Sequence, residues 1–233
     1  LVIFGKLLPE INLNTNDIAF LHIGTLFSII IFYRARILKI FRNLIVFKLY
    51  LRIITVGILP AVIVWLLTPI QDAIDNSSQI LIYTGTAYFF LSVMLIFSEK
   101  VTFKNILSVE EITIKQAFMI GIAQAFALMP GISRSGVTLL VAMYLGLKKT
   151  DAIFYSMLIG IPTIFGAWSL TFINQSFEVN TSILIPTIVA FFTGILAIKL
   201  LVKFTTESKL QFFGFYCLIL SIISFGLNWF LNQ

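Results

Sequence analysis

The sequence predicts an all-α polytopic membrane protein with about six transmembrane helices, a re-entrant helical hairpin and an inverted-repeat architecture. Three observations predict this fold: the composition, the recurrence of apolar segments of membrane-spanning length, and the alternation of basic and non-basic connections. Of the 233 residues, 59% are hydrophobic and 11% are charged. The mean hydropathy is +1.04. Such values are typical of chains whose solvent is the lipid bilayer.

Six apolar segments are long enough to cross a membrane as helices. They are approximately Ile18–Tyr33, Ile53–Thr68, Ile80–Phe97, Ala152–Ile173, Ile183–Ile198 and Phe212–Leu231. The first two are short, so we expect them to extend into flanking residues. Prolines within or near three of the segments are tolerated where neighbouring helices satisfy the carbonyls that a proline leaves unbonded.

The connections between the segments set the orientation in the membrane. Lys and Arg crowd the loops after the first, third and fifth segments, whereas "PIQDAIDNSSQ" and "INQSFEVNTS" contain neither. Basic loops remain on the cytoplasmic side, so both chain termini are predicted on the outer side. The net charge of +6 therefore indicates membrane topology and not a surface for nucleic acid.

Between Lys115 and Lys148 the sequence predicts a hairpin that enters and leaves the membrane on the same side. Two apolar pieces, "QAFMIGIAQAFALM" and "GVTLLVAMYLGL", are each short for a crossing, and basic residues flank both ends. The turn "PGISRSG" separates them. Irregular backbone at membrane depth requires burial in protein or contact with water.

A weak internal repeat accompanies the charge pattern. Asp17 precedes the first apolar segment, Asp151 precedes the fourth, and three segments follow each. Three crossings invert a unit, as in several transporters. We therefore predict one integral membrane domain, with repeat halves at about 1–108 and 113–233, the first being incomplete at its start.

The hairpin turn carries the candidate site. Pro130 and Gly131 are expected to end the first short helix, and Ser133 or Ser135 to cap the second. With Ser135 as the cap, Thr138 would face back toward the turn from the third helical position.

Arg134 adds a permanent cation to a helix start that is already positive. Gly131 and Gly136 let a ligand approach the backbone closely. Together these features predict a phosphate site, and at membrane depth a lipid phosphate is the expected ligand. The alternative is that Arg134 snorkels or pairs with a carboxylate, while the hydroxyls satisfy a buried turn.

Other polar residues admit two interpretations. Gln124 either bonds the turn or a metal-bound water, or joins helices. His22, the only histidine, is a candidate general base, but a helix–helix hydrogen bond is favoured. Glu110 and Glu111 are predicted to form a solvated helix start. Cys217 is expected to be a buried inert thiol, and one cysteine excludes a disulfide framework.

The stretch "ALMPGISRSGVT" resembles the PGxSRSxxT signature of the bacterial undecaprenyl-diphosphatase family, also called bacitracin-resistance proteins. The stretches "HIGTLFSIIIFYR" and "LGLKKTDAIFYSMLIGIPTIFGA" resemble that family too. The resemblance implies an inner-membrane hydrolase that converts undecaprenyl diphosphate to undecaprenyl phosphate and phosphate. Such an enzyme recycles the carrier of cell-wall sugars, confers bacitracin resistance and needs a divalent cation, expected to be Mg²⁺ or Ca²⁺.

The resemblance also implies that Ser133, Arg134 and Thr138 contact the diphosphate as catalytic residues. The predicted substrate-binding residues are Ser135, Gly131, Gly136 and Gln124. The expected partners are undecaprenyl diphosphate and membrane lipids, with no nucleic acid, and a homodimer is an open alternative.

One family motif is not found in this chain: an E/Q-xxx-E pair followed by a serine-rich turn that ends in Gly-His. We expect it to precede Leu1 and to supply the metal-binding carboxylates and the proton-handling histidine, so no metal ligand is assigned here. The alternative function is a transporter or flippase for an anionic lipid phosphate, because inverted repeats and broken helices are transporter features. An inactive relative is a third, less favoured reading.

Overall fold

The structure is a computed structural model, and it describes residue 3 and residues 15–67, 79–98, 104–174 and 183–231. In these ranges the secondary structure is helical, apart from one isolated bridge. The helices are α1 Thr15–Phe32, α2 Arg34–Arg42, α3 Leu44–Leu67, α4 Ile80–Ser98, α5 Ile114–Phe126, α6 Arg134–Tyr144, α7 Lys149–Asn174, α8 Leu184–Thr206 and α9 Gln211–Leu231. A 3₁₀ turn, Val109–Glu111, precedes α5. The predicted all-α class is confirmed.

Five of these helices, α3, α4, α7, α8 and α9, are long and apolar enough to cross a membrane. A sixth crossing is available if α1 and α2 form one span, bent by 68° at their junction. Each predicted segment coincides with one helix. The molecule is therefore a multi-pass membrane protein. Lys100, most of both non-basic loops and both chain ends lie outside the described residues.

The helix α3, which corresponds to the second predicted apolar segment, begins earlier than predicted. It begins at Leu44, so Lys48 and Arg52, which the sequence placed in a loop, lie on the first turns of α3. Both are exposed. Long basic side chains near a helix end can keep their charges at the membrane surface while the backbone continues into the bilayer.

The helix α7 is the centre of the bundle and packs on α1, α3, α6 and α8. Every residue from 151 to 160 is buried, including Phe154 and Tyr155. A helix buried on all sides requires neighbours around it. α7 is therefore the scaffold on which the other elements are positioned.

The helix contacts recur between the two halves of the chain. α1 packs on α8, α3 packs on α7, and α4 packs on α9. These contacts are expected of a repeat in which α1, α3 and α4 correspond to α7, α8 and α9. In such a repeat, the contact of α1 with α8 has the contact of α7 with α3 as its counterpart. The limits of the repeat remain a prediction.

The basic ends of the helices are tied together by polar contacts. Arg36 forms an ion pair with Asp151 at the start of α7, and its guanidinium lies 3.9 Å from the centre of the Phe154 ring. Nearby, Tyr50 donates a hydrogen bond of 2.7 Å to Glu110. Partial burial acts to raise the pKa of Glu110, but the Tyr50 hydrogen bond and the Arg36 charge help to outweigh it and hold that pKa below its usual value.

The two glutamates before α5 are exposed, as predicted. They belong to the 3₁₀ turn and not to α5 itself. The Glu111 carboxylate accepts hydrogen bonds from the amide and the hydroxyl of Ser108, which lower its pKa. α5 has a separate cap, in which the Thr113 hydroxyl accepts from the Gln116 amide.

Candidate functional site

The helices α5 and α6 form the predicted re-entrant hairpin. They contain 13 and 11 residues. At a rise of about 1.5 Å per residue, the longer one reaches roughly 20 Å, less than a bilayer core of about 30 Å.

The two open ends of the hairpin lie together. Leu107, before α5, forms a parallel bridge with Leu147, after α6. The amide of Lys148 donates to the carbonyl of Leu107 at 2.9 Å, and the Gln116 side chain donates to the carbonyl of Leu145 at 3.0 Å. The chain therefore enters and leaves on one side, and the turn lies within the bundle.

The first helix of the hairpin ends earlier than predicted, at Phe126. Residues 127 to 129 continue as tighter turns, with each amide bonded to the carbonyl three residues before it. The reason is Pro130, whose ring clashes with the carbonyl four residues earlier, that of Phe126. The proline ends the regular helix one turn before its own position.

The turn itself rests on α4. Gly131 has a φ of +95°, a backbone conformation that favours glycine. A side chain here would also be blocked, because a Cβ would lie 2.6 Å from the carbonyl oxygen of Thr84 and 3.0 Å from the Cβ of Ala87. Both the conformation and the contact with α4 therefore select glycine.

The structure selects Ser133 as the cap of α6. Its hydroxyl accepts a hydrogen bond of 3.2 Å from the Gly136 amide. The Ser135 hydroxyl lies 3.3 Å from that of Ser133. With Ser133 as the cap, Thr138 lies further into the helix than the third position.

The Thr138 hydroxyl holds the first turn of α6 against α7. It donates to the Arg134 carbonyl at 2.7 Å and lies 2.6 Å from the Ser156 hydroxyl. Ser156 also reaches the Ser135 carbonyl, at 3.3 Å. Thr138 is fully buried, so in this structure its hydroxyl faces α7. Its predicted contact with a phosphate remains a prediction.

Arg134 is the first residue of α6, and its guanidinium lies against the backbone of α7. Its Nη1 donates to the carbonyl of Gly160 at 3.3 Å. Arg134 forms no ion pair with a carboxylate of the described residues, in contrast to Arg36, which pairs with Asp151, and Lys209, which pairs with Glu207.

The guanidinium borders a cavity of 590 Å³, here called the arginine cavity. Ser135, His22, Thr25, Ser28, Thr163 and Trp168 also line it. Along α7 the lining runs from Met157 to Trp168, toward the end that lies away from the basic residues. Structure thus brings His22 and Arg134 into one cavity, although they are far apart in sequence.

A second cavity of 420 Å³ lies on the other side of Ser135. Four of the predicted site residues line it: Gly131, Ser133, Ser135 and Gly136. The rest of its wall is mainly apolar and includes Leu91 and Cys217. The predicted burial of Cys217 is confirmed.

Gln124 joins helices. It is 1% exposed, and its Nε2 donates to the Thr163 hydroxyl at 3.3 Å. Thr163 in turn donates to the Ile159 carbonyl at 2.7 Å. The side-chain nitrogen of Gln124 therefore joins α5 to α7, as one of the two predicted alternatives proposed. The side-chain oxygen of Gln124 is buried with no hydrogen-bond partner in the described part of the chain.

Sequence reasoning missed one face of α7. Ser156, Gly160 and Thr163 stand at positions i, i+4 and i+7, and they contact Thr138, Arg134 and Gln124 respectively. The signal was present as small and polar residues at helical spacing in "SMLIGIPT". What the spacing could not tell is which other helix this face meets.

The described residues do not supply a metal site. Nowhere in these ranges do three His, Cys, Asp or Glu side chains come together. His22 is the one side chain of these four types that lines the arginine cavity.

Comparison with known proteins gives consistent matches along the chain. The sequence model of the family described as "Bacitracin resistance protein BacA" matches residues 1–223. An undecaprenyl-diphosphatase of Methanococcus vannielii is 39% identical over 210 residues, which cover 88% of this chain and 82% of that protein. Undecaprenyl-diphosphatases of Thermosipho africanus and Thermosipho melanesiensis are each 37% identical, over 91% and 98% of this chain and 85% and 90% of their own lengths.

Proposed function

This chain belongs to the bacitracin resistance protein BacA family, and from that premise we propose that it hydrolyses undecaprenyl diphosphate to undecaprenyl phosphate and phosphate. The activity returns the lipid carrier of cell-wall sugars to use and confers resistance to bacitracin. The protein is a membrane hydrolase that acts on a diphosphate anhydride.

The observation that carries the proposal is the position of Arg134. A permanent cation lies at the start of α6, within the bundle, beside a cavity of 590 Å³. An arginine at membrane depth is costly and marks a functional site by default. With no carboxylate paired to it in the described ranges, its charge is available to an anionic ligand.

The chemistry follows from this charge. A water oxygen bonds to the terminal phosphorus, the bond from that phosphorus to the bridging oxygen breaks, and undecaprenyl phosphate leaves with the bridging oxygen. The two protons of the water pass to the phosphate product or to solvent. Negative charge on the phosphoryl oxygens must be stabilised throughout. Arg134 and the positive end of α6 provide that stabilisation from fixed positions, without the reorganisation that solvent would need.

Hydroxyl groups and close backbone approach complete the proposed binding site. Ser135 borders both cavities, so it lies where a polar head and an apolar chain would meet. Gly131 and Gly136 line the second cavity beside it and bring backbone close to a ligand there. Ser133 holds the helix start in place through its cap.

We further propose that the arginine cavity opens to the outer side of a bacterial inner membrane. The cavity extends from the level of Arg134 toward His22 and Trp168, away from the helix ends that carry the basic residues. By the positive-inside rule, those basic ends are cytoplasmic, and both termini are then outside. A homodimer and a bound divalent cation remain predictions.

A transporter or flippase for an anionic lipid phosphate is the second candidate. The observation that favours it is the exchange of helix contacts between the halves, with α1 on α8 and α3 on α7. Such repeats support alternating access in transporters.

One experiment separates the two candidates. The full-length protein is reconstituted in vesicles with undecaprenyl diphosphate, and inorganic phosphate release is measured together with lipid movement between leaflets. Arg134→Ala should lower kcat by roughly 100- to 1000-fold, as for loss of one oxyanion donor. The control is Arg52→Ala, which removes an exposed arginine of α3. Near-normal phosphate release by a folded Arg134→Ala protein contradicts the proposal, and lipid movement without phosphate release supports the transporter.

A further inference from the structure

We infer that Gly160 is a positioning residue for Arg134: its missing side chain leaves the space in which the guanidinium lies. This inference rests on the proposed function, because it concerns the cation that binds the diphosphate. Gly160 lies inside α7 and is buried. It contacts the guanidinium of Arg134.

The contact is close enough to decide the residue type. A Cβ built on Gly160 would overlap Nη2 of Arg134, lie 3.0 Å from Cζ and 3.5 Å from Nη1. The Gly160 carbonyl accepts the Nη1 hydrogen bond of 3.3 Å. The guanidinium therefore lies against bare backbone and donates a hydrogen bond to it.

Backbone conformation does not explain this glycine. The positive-φ glycines of the described residues are Gly131 and Gly146, and Gly160 has ordinary helical geometry. A glycine inside a helix costs about 1 kcal/mol relative to alanine. Gly166, on the same helix, has nothing within 4 Å of its Cβ position. Packing therefore does not require glycine at position 166, whereas at position 160 the guanidinium of Arg134 occupies the space that a side chain would need.

Neighbouring contacts prevent the hairpin from moving away to make room. One turn before Gly160, Ser156 bonds Thr138 of α6. On the next turn, Thr163 accepts from Gln124 of α5. Both helices of the hairpin are fixed on α7 on either side of Gly160. A larger side chain at 160 is therefore relieved by displacement of the guanidinium into the arginine cavity.

The expected effect is graded with side-chain size. The atoms that a methyl group would meet are the far end of a flexible side chain, so Gly160→Ala should displace the guanidinium slightly. Gly160→Val and Gly160→Leu should displace it further. We expect kcat/KM to fall by no more than about 10-fold for Ala and by roughly 100-fold for Leu, which approaches the loss of the donor itself.

The test is a double-mutant cycle with Arg134, using phosphate release from undecaprenyl diphosphate. Because Gly160 acts through Arg134, Gly160→Leu should lower activity in the wild-type background and cause no further loss in the Arg134→Ala background. The matched control is Gly166→Leu, which should stay within about 2-fold of wild type, since a Cβ there meets nothing within 4 Å and substitutions away from special features have small effects. Thermal unfolding and gel filtration of each variant report on folding.

Two results overturn the inference. One is a folded Gly160→Leu protein as active as Gly166→Leu. The other is an equal loss from Gly160→Leu with and without Arg134, which would indicate a general packing effect. If the Leu variant does not fold, Gly160→Ala in both backgrounds decides by the same criterion.

A second readout does not depend on catalysis. Phenylglyoxal modifies exposed guanidinium groups, and peptide mass spectrometry locates the modified arginine. Gly160→Leu should raise the modification of Arg134, while that of Arg52 stays constant. If wild type and Gly166→Leu release no phosphate, the proposed function fails, and unchanged modification of Arg134 would independently refute the role of Gly160.

Discussion

The hydroxyl oxygens of Thr138 and Ser156 lie 2.6 Å apart and join the first turn of α6 to α7. Both side chains are almost completely buried. Since Thr138 also bonds the Arg134 carbonyl, this hydroxyl pair fixes the backbone that carries Arg134. The site therefore depends on a contact between two helices, in addition to the turn sequence.

The first prediction concerns Ser156→Ala. It removes one buried hydroxyl partner and leaves the Ser135 carbonyl without its contact from α7. We expect the free energy of unfolding to fall by about 1 kcal/mol. We also expect kcat/KM of the folded Ser156→Ala protein to be lower than that of the folded wild type. Denaturant unfolding and phosphate release measure the two effects. Ser169→Ala is the control, because the Ser169 hydroxyl bonds the Phe165 carbonyl of its own helix, and equal behaviour of both variants would refute the prediction.

The second prediction concerns Gly131→Ala at the hairpin turn. A φ of +95° is strained for alanine, and the new methyl group would meet the Thr84 carbonyl. We expect a loss of more than about 1 kcal/mol of stability, with loss of activity as the turn shifts from α4. Thermal unfolding in detergent measures it. Gly226→Ala on α9, where nothing lies within 4 Å, should be neutral or slightly stabilising, and a Gly131→Ala protein with the same midpoint would contradict the assigned strain.

The third prediction concerns the ion pair between Arg36 and Asp151. The side chains are 33% and 11% exposed, respectively, so solvent screens the pair only in part. Asp151→Asn should lower stability by about 1–2 kcal/mol, between the values for exposed and buried pairs.

A double-mutant cycle with Arg36→Gln isolates the pair energy from the contact of Arg36 with Phe154. Glu207→Gln, which removes an exposed pair with Lys209, is the control and should change stability by less than about 0.5 kcal/mol. A coupling energy near zero would show that the two charges do not stabilise the bundle.

The fourth prediction concerns metal dependence. Family resemblance leads us to expect that EDTA abolishes phosphate release and that Mg²⁺ or Ca²⁺ restores it, because a divalent ion offsets charge in phosphoryl transfer. The measurement is activity across a titration of chelator and metal in the full-length protein. Full activity in excess EDTA would refute the requirement.

The sequence alone determined the parts of this protein that follow from local chemistry. Apolar length predicted the five helices of the described residues that are long and apolar enough to cross a membrane, and the basic residues at 115 and 148 predicted that the hairpin returns to its own side. Pro130 also acted locally, since a proline ring influences residues within one helical turn. A capping hydroxyl acts over the same range, but the sequence left the cap open between Ser133 and Ser135, and the structure selected Ser133. Even the early end of α5 at Phe126 is explained by Pro130.

Tertiary structure decided the surroundings of Arg134. That its guanidinium lies on Gly160, that Thr138 faces Ser156, and that His22 shares its cavity all depend on how separate helices pack. The physical reason is that helical periodicity shows which residues share a face of one helix. Which face of another helix it meets is set by packing among residues far apart in the chain.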